Sequence, residues 1–224
     1  FKAAKKAAKK ADVVVMVLGE YGFQSGEGRS RTRLDLPGFQ QELLEEIAKI
    51  NSNIVLVLMN GRPLVLNWAD ENVPAIIEAW HLGTESGNAI AQVLYGDYNP
   101  SGKLPMSFPR SVAQMPLYYN YKNTGRPGAD GADAGSVFWS HYGDEKNSPL
   151  YPFGYGLSYT SFEYSEIELN SNKLTINSEI TVSVNVKNTG KVKGKEVVQM
   201  YIKDHFASTT RPVKELKGFK LIEL

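Results

Sequence analysis

The chain has 224 residues, 42% of them hydrophobic and 22% charged, with 25 basic residues against 24 acidic and no cysteine. That is enough apolar material for one sizeable core or two modest ones. The charge balance argues against a strongly basic nucleic-acid surface, and the missing cysteines exclude disulfides, a thiolate metal site and a cysteine nucleophile.

No apolar run approaches the roughly 20 residues of a membrane helix, so neither a membrane nor nucleic acid is an expected partner. The chain opens at Phe1 with no signal-peptide pattern, which reads as a piece of something longer. Phe1 to Ala11 sets lysines at 2, 5, 6, 9 and 10 between alanines at 3, 4, 7, 8 and 11, giving a helix with one small apolar face and one cationic face. It reads either as a solvated helix leading into the first strand or as a basic surface for an anionic partner.

Val13 to Leu18, apolar throughout and rich in β-branched residues, predicts a buried strand. It opens into a glycine-rich, charged loop, Gly19 to Thr32, the kind of segment that carries chemistry at the carboxyl end of a strand. Gly38 to Ile50 predicts an amphipathic helix with Pro37 at its first turn and Leu43, Leu44 and Ile47 on one face. Asn53 to Met59 and Pro74 to Trp80 predict further buried strands, and Glu85 to Leu94 a helix ending near Gly96. Alternation at these lengths predicts βαβ units, a parallel sheet and helices on both faces.

From Tyr95 to Pro116 prolines and glycines surround short apolar pieces such as Leu104 to Phe108. Thr124 to Gly135 reads as a mobile surface loop, and the aromatic, glycine-punctuated stretch Pro149 to Tyr159 as an ordered connector. After Phe162 the period becomes two: Ile167 and Leu169, then Ile180, Val182, Val184 and Val186, a turn at Asn188-Thr189-Gly190, and Val197 to Ile202. Short alternating strands predict a β-sandwich. It reads as incomplete, because Leu224 lies within a plausible strand, and an unfinished sandwich leaves an open edge.

Several chemistries are disfavoured. The loop after the first strand lacks G-x-G-x-x-G spacing, Gly102-Lys103 is followed by Leu104 rather than a P-loop hydroxyl, and no G-x-S-x-G elbow occurs. His81, His141 and His205 are too scattered for metal spacing, so neither a metal nor a cofactor is expected.

A carboxylate remains. Glu27, between Gly26 and Gly28, could swing to a reacting atom and move a proton. It could equally pair with Arg29 or Arg31 and only fix the loop. Glu20, at the strand end, competes as a ligand-binding residue or a loop cap. The arginines oppose the proton-holding that a general acid needs, so the acid role requires a closed pocket or a second carboxylate.

Several stretches resemble glycoside hydrolase family 3 enzymes of the bacterial β-glucosidase type. They are Glu27-Gly28-Arg29-Ser30-Arg31-Thr32 with Leu36-Pro37, Val57 to Leu64, Ala79-Trp80 with Gly83 to Ala91, Gly96 to Pro105, and Tyr151 to Thr160. Arg211 to Phe219 resembles part of the fibronectin-III-like domain that follows in that family.

The resemblance implies an α/β fold, an (α/β)6 sandwich with a mainly parallel sheet over 1–160, followed by an incomplete fibronectin-III-like β-sandwich over 161–224. It implies a retaining exo-acting β-glucosidase, periplasmic or secreted, acting on an oligosaccharide or glycoside. Glu27 matches the acid/base, and the nucleophilic aspartate belongs to an N-terminal (β/α)8 barrel that nothing here matches. Two carboxyls about 5–5.5 Å apart are needed for that mechanism, so the chain alone is expected to be inactive. Glu20, Arg31, Trp139 and His141 are the candidate substrate contacts. Trp68 and Trp80 could stack on sugar or lie in the core, and the Asn60-Gly61-Arg62-Pro63 segment could touch substrate or simply turn the chain. The alternative is a non-catalytic module that binds carbohydrate or a partner.

Overall fold

The computed structural model describes residues 1–128 and 138–224. The expected loop at Thr124 to Gly135 therefore falls partly outside the described residues.

The first part is α/β. Helix α1 (Lys2–Ala8) leads into β1 (Val14–Gly19), α2 (Gln40–Ala48), β2 (Ile54–Met59), α3 (Asn67–Asn72), β3 (Ala75–Glu78) and α4 (Ser86–Tyr95). The three strands form one parallel sheet in the order β1-β2-β3, with Leu18 opposite Leu58 and Leu58 opposite Glu78. Parallel pairing brings the carboxyl ends of all three strands to one edge, which is where the site lies.

One sheet face is the core. Met16, Ile54, Leu56 and Leu58 pack with Leu44 and Ile47 of α2, Leu64, Leu66, Ala69 and Phe108. Leu44, Leu56, Leu58 and Leu64 are fully buried, each stabilising the fold by about 1.5–3 kcal/mol in transfer terms. The opposite face differs from the sequence expectation of a strand buried throughout. Val15 and Val17 of β1 are 47% and 55% exposed, whereas Val57 on β2 is fully buried. An apolar run fixes only that a strand can be buried on both faces; whether another layer covers it depends on the rest of the fold.

Element ends also moved. Pro37 and Gly38 lie in the turn before α2, whose N-cap is Phe39. The third strand stops at Glu78, because Trp80 adopts a left-handed φ of 49° that no strand continues through. Helix α3, six residues, was not foreseen; it is shorter than a recognisable amphipathic period. The lysines of α1 act as the solvated face of a packed helix: Ala8 is buried, and Lys5 pairs with Glu46 of α2.

The connector is ordered as expected. Leu104 and Phe108 pair with Tyr155 and Tyr151 through backbone hydrogen bonds, and the Phe108 ring sits 5.7 Å from Trp80 and 6.1 Å from Tyr151. From Phe162 onward all strand pairing is antiparallel: β4 (Phe162–Tyr164) with β7 (Val186–Asn188), β5 (Glu168–Leu169) with β6 (Val182–Ser183), and β8 (Lys195–Ile202) with β9 (Glu215–Glu223). A salt bridge from Lys103 to Glu196 (3.1 Å) and a hydrogen bond from Gln199 Nε2 to the Gly154 carbonyl (3.0 Å) tie this part to the first.

Candidate active site

The loop from Glu20 to Asp35 rises from the carboxyl end of β1. Its base is held by Gln40 at the start of α2, whose side-chain amide pairs with both backbone groups of Gly19: Gly19 N–H donates to Oε1 (2.7 Å) and Nε2 donates to the Gly19 carbonyl (2.9 Å). The strand end is thereby closed as if by one more rung of ladder, with no backbone group left unpaired there.

Glu20 is the loop's internal anchor. Its side chain has 0% exposure, and Oε1 accepts from Arg31 (2.7 Å) and pairs with Arg62 Nε (3.0 Å). Its Oε2 accepts from the Gly61 N–H (3.3 Å) and Arg62 Nε (3.2 Å). A buried carboxylate survives only when paired and hydrogen-bonded in this way. Of the two roles open to Glu20, ligand contact and loop cap, this burial and pairing favour the cap. Arg31 is committed similarly, its second nitrogen donating to the Asp35 carbonyl at 2.9 Å.

Arg62, on the turn after β2, reaches further. Its Nη2 donates to the carbonyls of Gln24 (2.6 Å) and Arg29 (2.8 Å), one on each side of Glu27. The sequence leaves Asn60 to Pro63 as a turn or a substrate contact, and nothing in local spacing reveals that Arg62 spans the loop. Arg29 folds back onto Phe23, donating to its carbonyl (2.9 Å) and lying 5.2 Å from its ring centroid.

Glu27 is left free. It is exposed and makes no hydrogen bond or ion pair among the described residues. The pairing with Arg29 or Arg31 that the sequence allowed does not form, because both arginines have other partners. Gly26 and Gly28 flank it at φ 127° and 67°, with nothing closer than 3.9 Å to a Cβ built on either. Backbone conformation rather than crowding demands glycine here, and the outcome is a carboxyl held out from a clamped loop.

Glu78 escaped the sequence reading, since an acidic residue ending an apolar strand carries no motif. Burial pushes its carboxyl up to about 7, against the opposing effect of hydrogen bonds from Trp80 and Asn60. Its Oε1 accepts from the Trp80 N–H (2.9 Å) and its Oε2 from Asn60 Nδ2 (3.3 Å).

Trp139 is exposed and His141 half-buried, and His141 Nδ1 donates to the Trp139 carbonyl (2.9 Å). Among the described residues no hydrogen bond or ion pair joins them to the Glu27 loop. Trp68 and Trp80 pack against the core cluster, favouring the core role for both. Among the described residues, no group of three or more His, Cys, Asp or Glu is placed to hold a metal ion.

The chain matches the glycosyl hydrolase family 3 C-terminal domain over residues 1–159 and the fibronectin type III-like domain over residues 196–224. It is 53% identical over 221 residues to a periplasmic β-glucosidase of Salmonella typhimurium, covering 99% of this chain and 29% of that protein. It is 48% identical over 224 residues to a β-xylosidase of Formosa agariphila, covering 100% of this chain and 30% of the relative. The fold superposes on a β-glucosidase from Listeria innocua in complex with glucose at a TM-score of 0.94 and 42% identity, over 99% of this chain and 31% of that one. The chain thus spans about three-tenths of the length of the relatives it matches.

Proposed function

The chain belongs to glycosyl hydrolase family 3, and on that footing we propose that it carries the acid/base carboxyl, Glu27, of a retaining exo-β-glucosidase. The observation that supports this is a contrast. Glu27 is exposed and unpaired among the described residues, while the loop on both sides of it is fastened by Arg62, Arg31 and the fully buried Glu20. The names of the Salmonella and Listeria relatives support a terminal β-linked glucosyl unit as substrate, and the former a periplasmic or secreted location.

In this reading the nucleophile is an aspartate on the (β/α)8 barrel of the whole enzyme. Its carboxylate attacks the anomeric carbon, the bond to the leaving oxygen breaks, and Glu27 gives that oxygen its proton. Glu27, now a carboxylate, then takes a proton from the water that attacks the glycosyl ester, and the sugar leaves with its β configuration restored. The barrel carboxylate also supplies the negative charge that favours a protonated Glu27 in the resting site. Glu20, Arg31 and Arg62 position the loop without touching sugar. Trp139 and His141 stay as candidates for an outlying subsite. The division into 1–160 and 161–224 is supported by the change to antiparallel pairing at Phe162.

The test is Glu27→Ala in the full-length enzyme. Hydrolysis of an alkyl glucoside or a disaccharide, which needs a proton on its leaving group, is expected to fall by roughly 10²–10⁴. Glycosylation by an aryl glucoside with a good leaving group should fall far less. Equal activity of variant and parent on the disaccharide refutes the assignment.

A further inference from the structure

The three strand ends place Glu20, Asn60 and Glu78 along one sheet edge, yet Glu78 has no part in the clamp just described. It lacks an ion-pair partner among the described residues and faces Asn60, which is completely buried. Asn60 Nδ2 is shared between Glu78 Oε2 (3.3 Å) and the Arg62 carbonyl (2.8 Å), and Asn60 Oδ1 is buried without a donor. An amide whose Nδ2 is held between two acceptors has its side chain fixed in one orientation.

We propose that Glu78 is a positioning residue for the Glu27 loop, acting through the Asn60–Arg62 turn and the Trp80–His81 turn. The first route is direct. Glu78 orients Asn60, Asn60 holds the Arg62 backbone, and the Arg62 guanidinium holds the Gln24 and Arg29 carbonyls on either side of Glu27.

The second route passes through a strained residue. Trp80 sits at φ 49°, unusual for a bulky side chain, and its N–H is held by Glu78 Oε1. That turn delivers His81 to the same side of Gly61 as Ser25, where an added Cβ would lie 3.3 Å from His81 Nε2 and 1.8 Å from Ser25 Oγ. Ser25 belongs to the Glu27 loop, so Gly61 is the closely packed floor on which the loop and the Trp80–His81 turn meet. With its carboxyl near neutrality, Glu78 also presents an O–H in a fraction of molecules, a donor beside an amide that has an unpaired acceptor.

This inference rests on the acid/base reading of Glu27, and the experiment separates the two. In the full-length enzyme, Glu78→Gln, Asn60→Ala and the double variant are compared with Glu27→Ala. Each is assayed on a disaccharide and on an aryl glucoside with a good leaving group, and the ratio of the two kcat/KM values, which excludes the shared hydrolysis of the glycosyl ester, is recorded. That ratio does not depend on how much of a variant folds. Glu78→Gln keeps an acceptor for Trp80 but sets an NH2 against Asn60 Nδ2.

The expected result is an approximately tenfold fall in the ratio, a fraction of the roughly 10²–10⁴ that a general acid supplies, with KM for the aryl glucoside unchanged. Asn60→Ala should give a similar fall, and the double variant no more than either single one, as for residues acting through one path. An unchanged ratio in Glu78→Gln, or fully additive effects, overturns the proposal. If Glu27→Ala itself leaves the ratio unchanged, the acid/base reading fails first.

Discussion

Glu20→Ala tests whether a buried charge holds the catalytic loop. The substitution leaves the guanidiniums of Arg31 and Arg62 facing an empty site, their side chains 21% and 19% exposed. Removing one partner of a fully buried pair costs about 3–5 kcal/mol, and partial access of water to both arginines places this case at the lower end, about 3 kcal/mol. The cost falls on the closed loop specifically, because an opened loop hydrates both arginines. At about 1.4 kcal/mol per factor of ten, the open population rises roughly 100-fold.

Trypsin reads this directly, since cleavage after Arg31 requires the side chain that Glu20 and the Asp35 carbonyl now hold. At limiting protease the cleavage rate follows the open population, so the initial rate at the Arg31–Thr32 bond should rise by that factor. Glu20→Gln keeps an acceptor oxygen and should give an intermediate rise, about tenfold. A rate at Arg31–Thr32 in Glu20→Ala within twofold of the parent refutes the clamp.

Two further outcomes follow from the same strand ends. A carboxyl raised from 4.5 to about 7 by burial makes ionisation of Glu78 about 3 kcal/mol harder in the fold than in the unfolded chain. Because the folded value is the higher one, this contribution is fully present below about pH 4.5 and is lost as pH rises through about 7. Denaturant titrations should show the parent losing about 3 kcal/mol relative to Glu78→Gln across that window, and parallel pH curves would contradict it. At Gly19, φ is 135° and an added Cβ would lie 2.1 Å from the Met59 carbonyl oxygen, which already accepts from the Glu20 N–H. Backbone cannot yield as a side chain can, so Gly19→Ala should cost on the order of 3 kcal/mol in urea unfolding; a loss under about 1 kcal/mol would show that the strand end relaxes.

The alternation of β-branched runs with 3.6-period segments was enough to place β1, α2, β2, β3 and α4, because burying one face of each element is a local demand on composition. The Gly-Glu-Gly signature was legible for a similar reason: left-handed backbone on both sides of a residue is a property of those residues alone. What surrounds Glu27 was not legible. Glu20 at a strand end reads equally as a ligand contact or a loop cap, and only β2, delivering Arg62 from more than forty positions away, shows the pairing it makes. Glu78 carried no signal, since its raised carboxyl comes from desolvation at a sheet edge that the chain order does not reveal. Likewise Val15 and Val17 have the composition of buried residues, and only tertiary structure shows that within this chain they are 47% and 55% exposed. Local preferences are written residue by residue, whereas charge pairing, desolvation and layer coverage are set by which distant segments arrive at the same place.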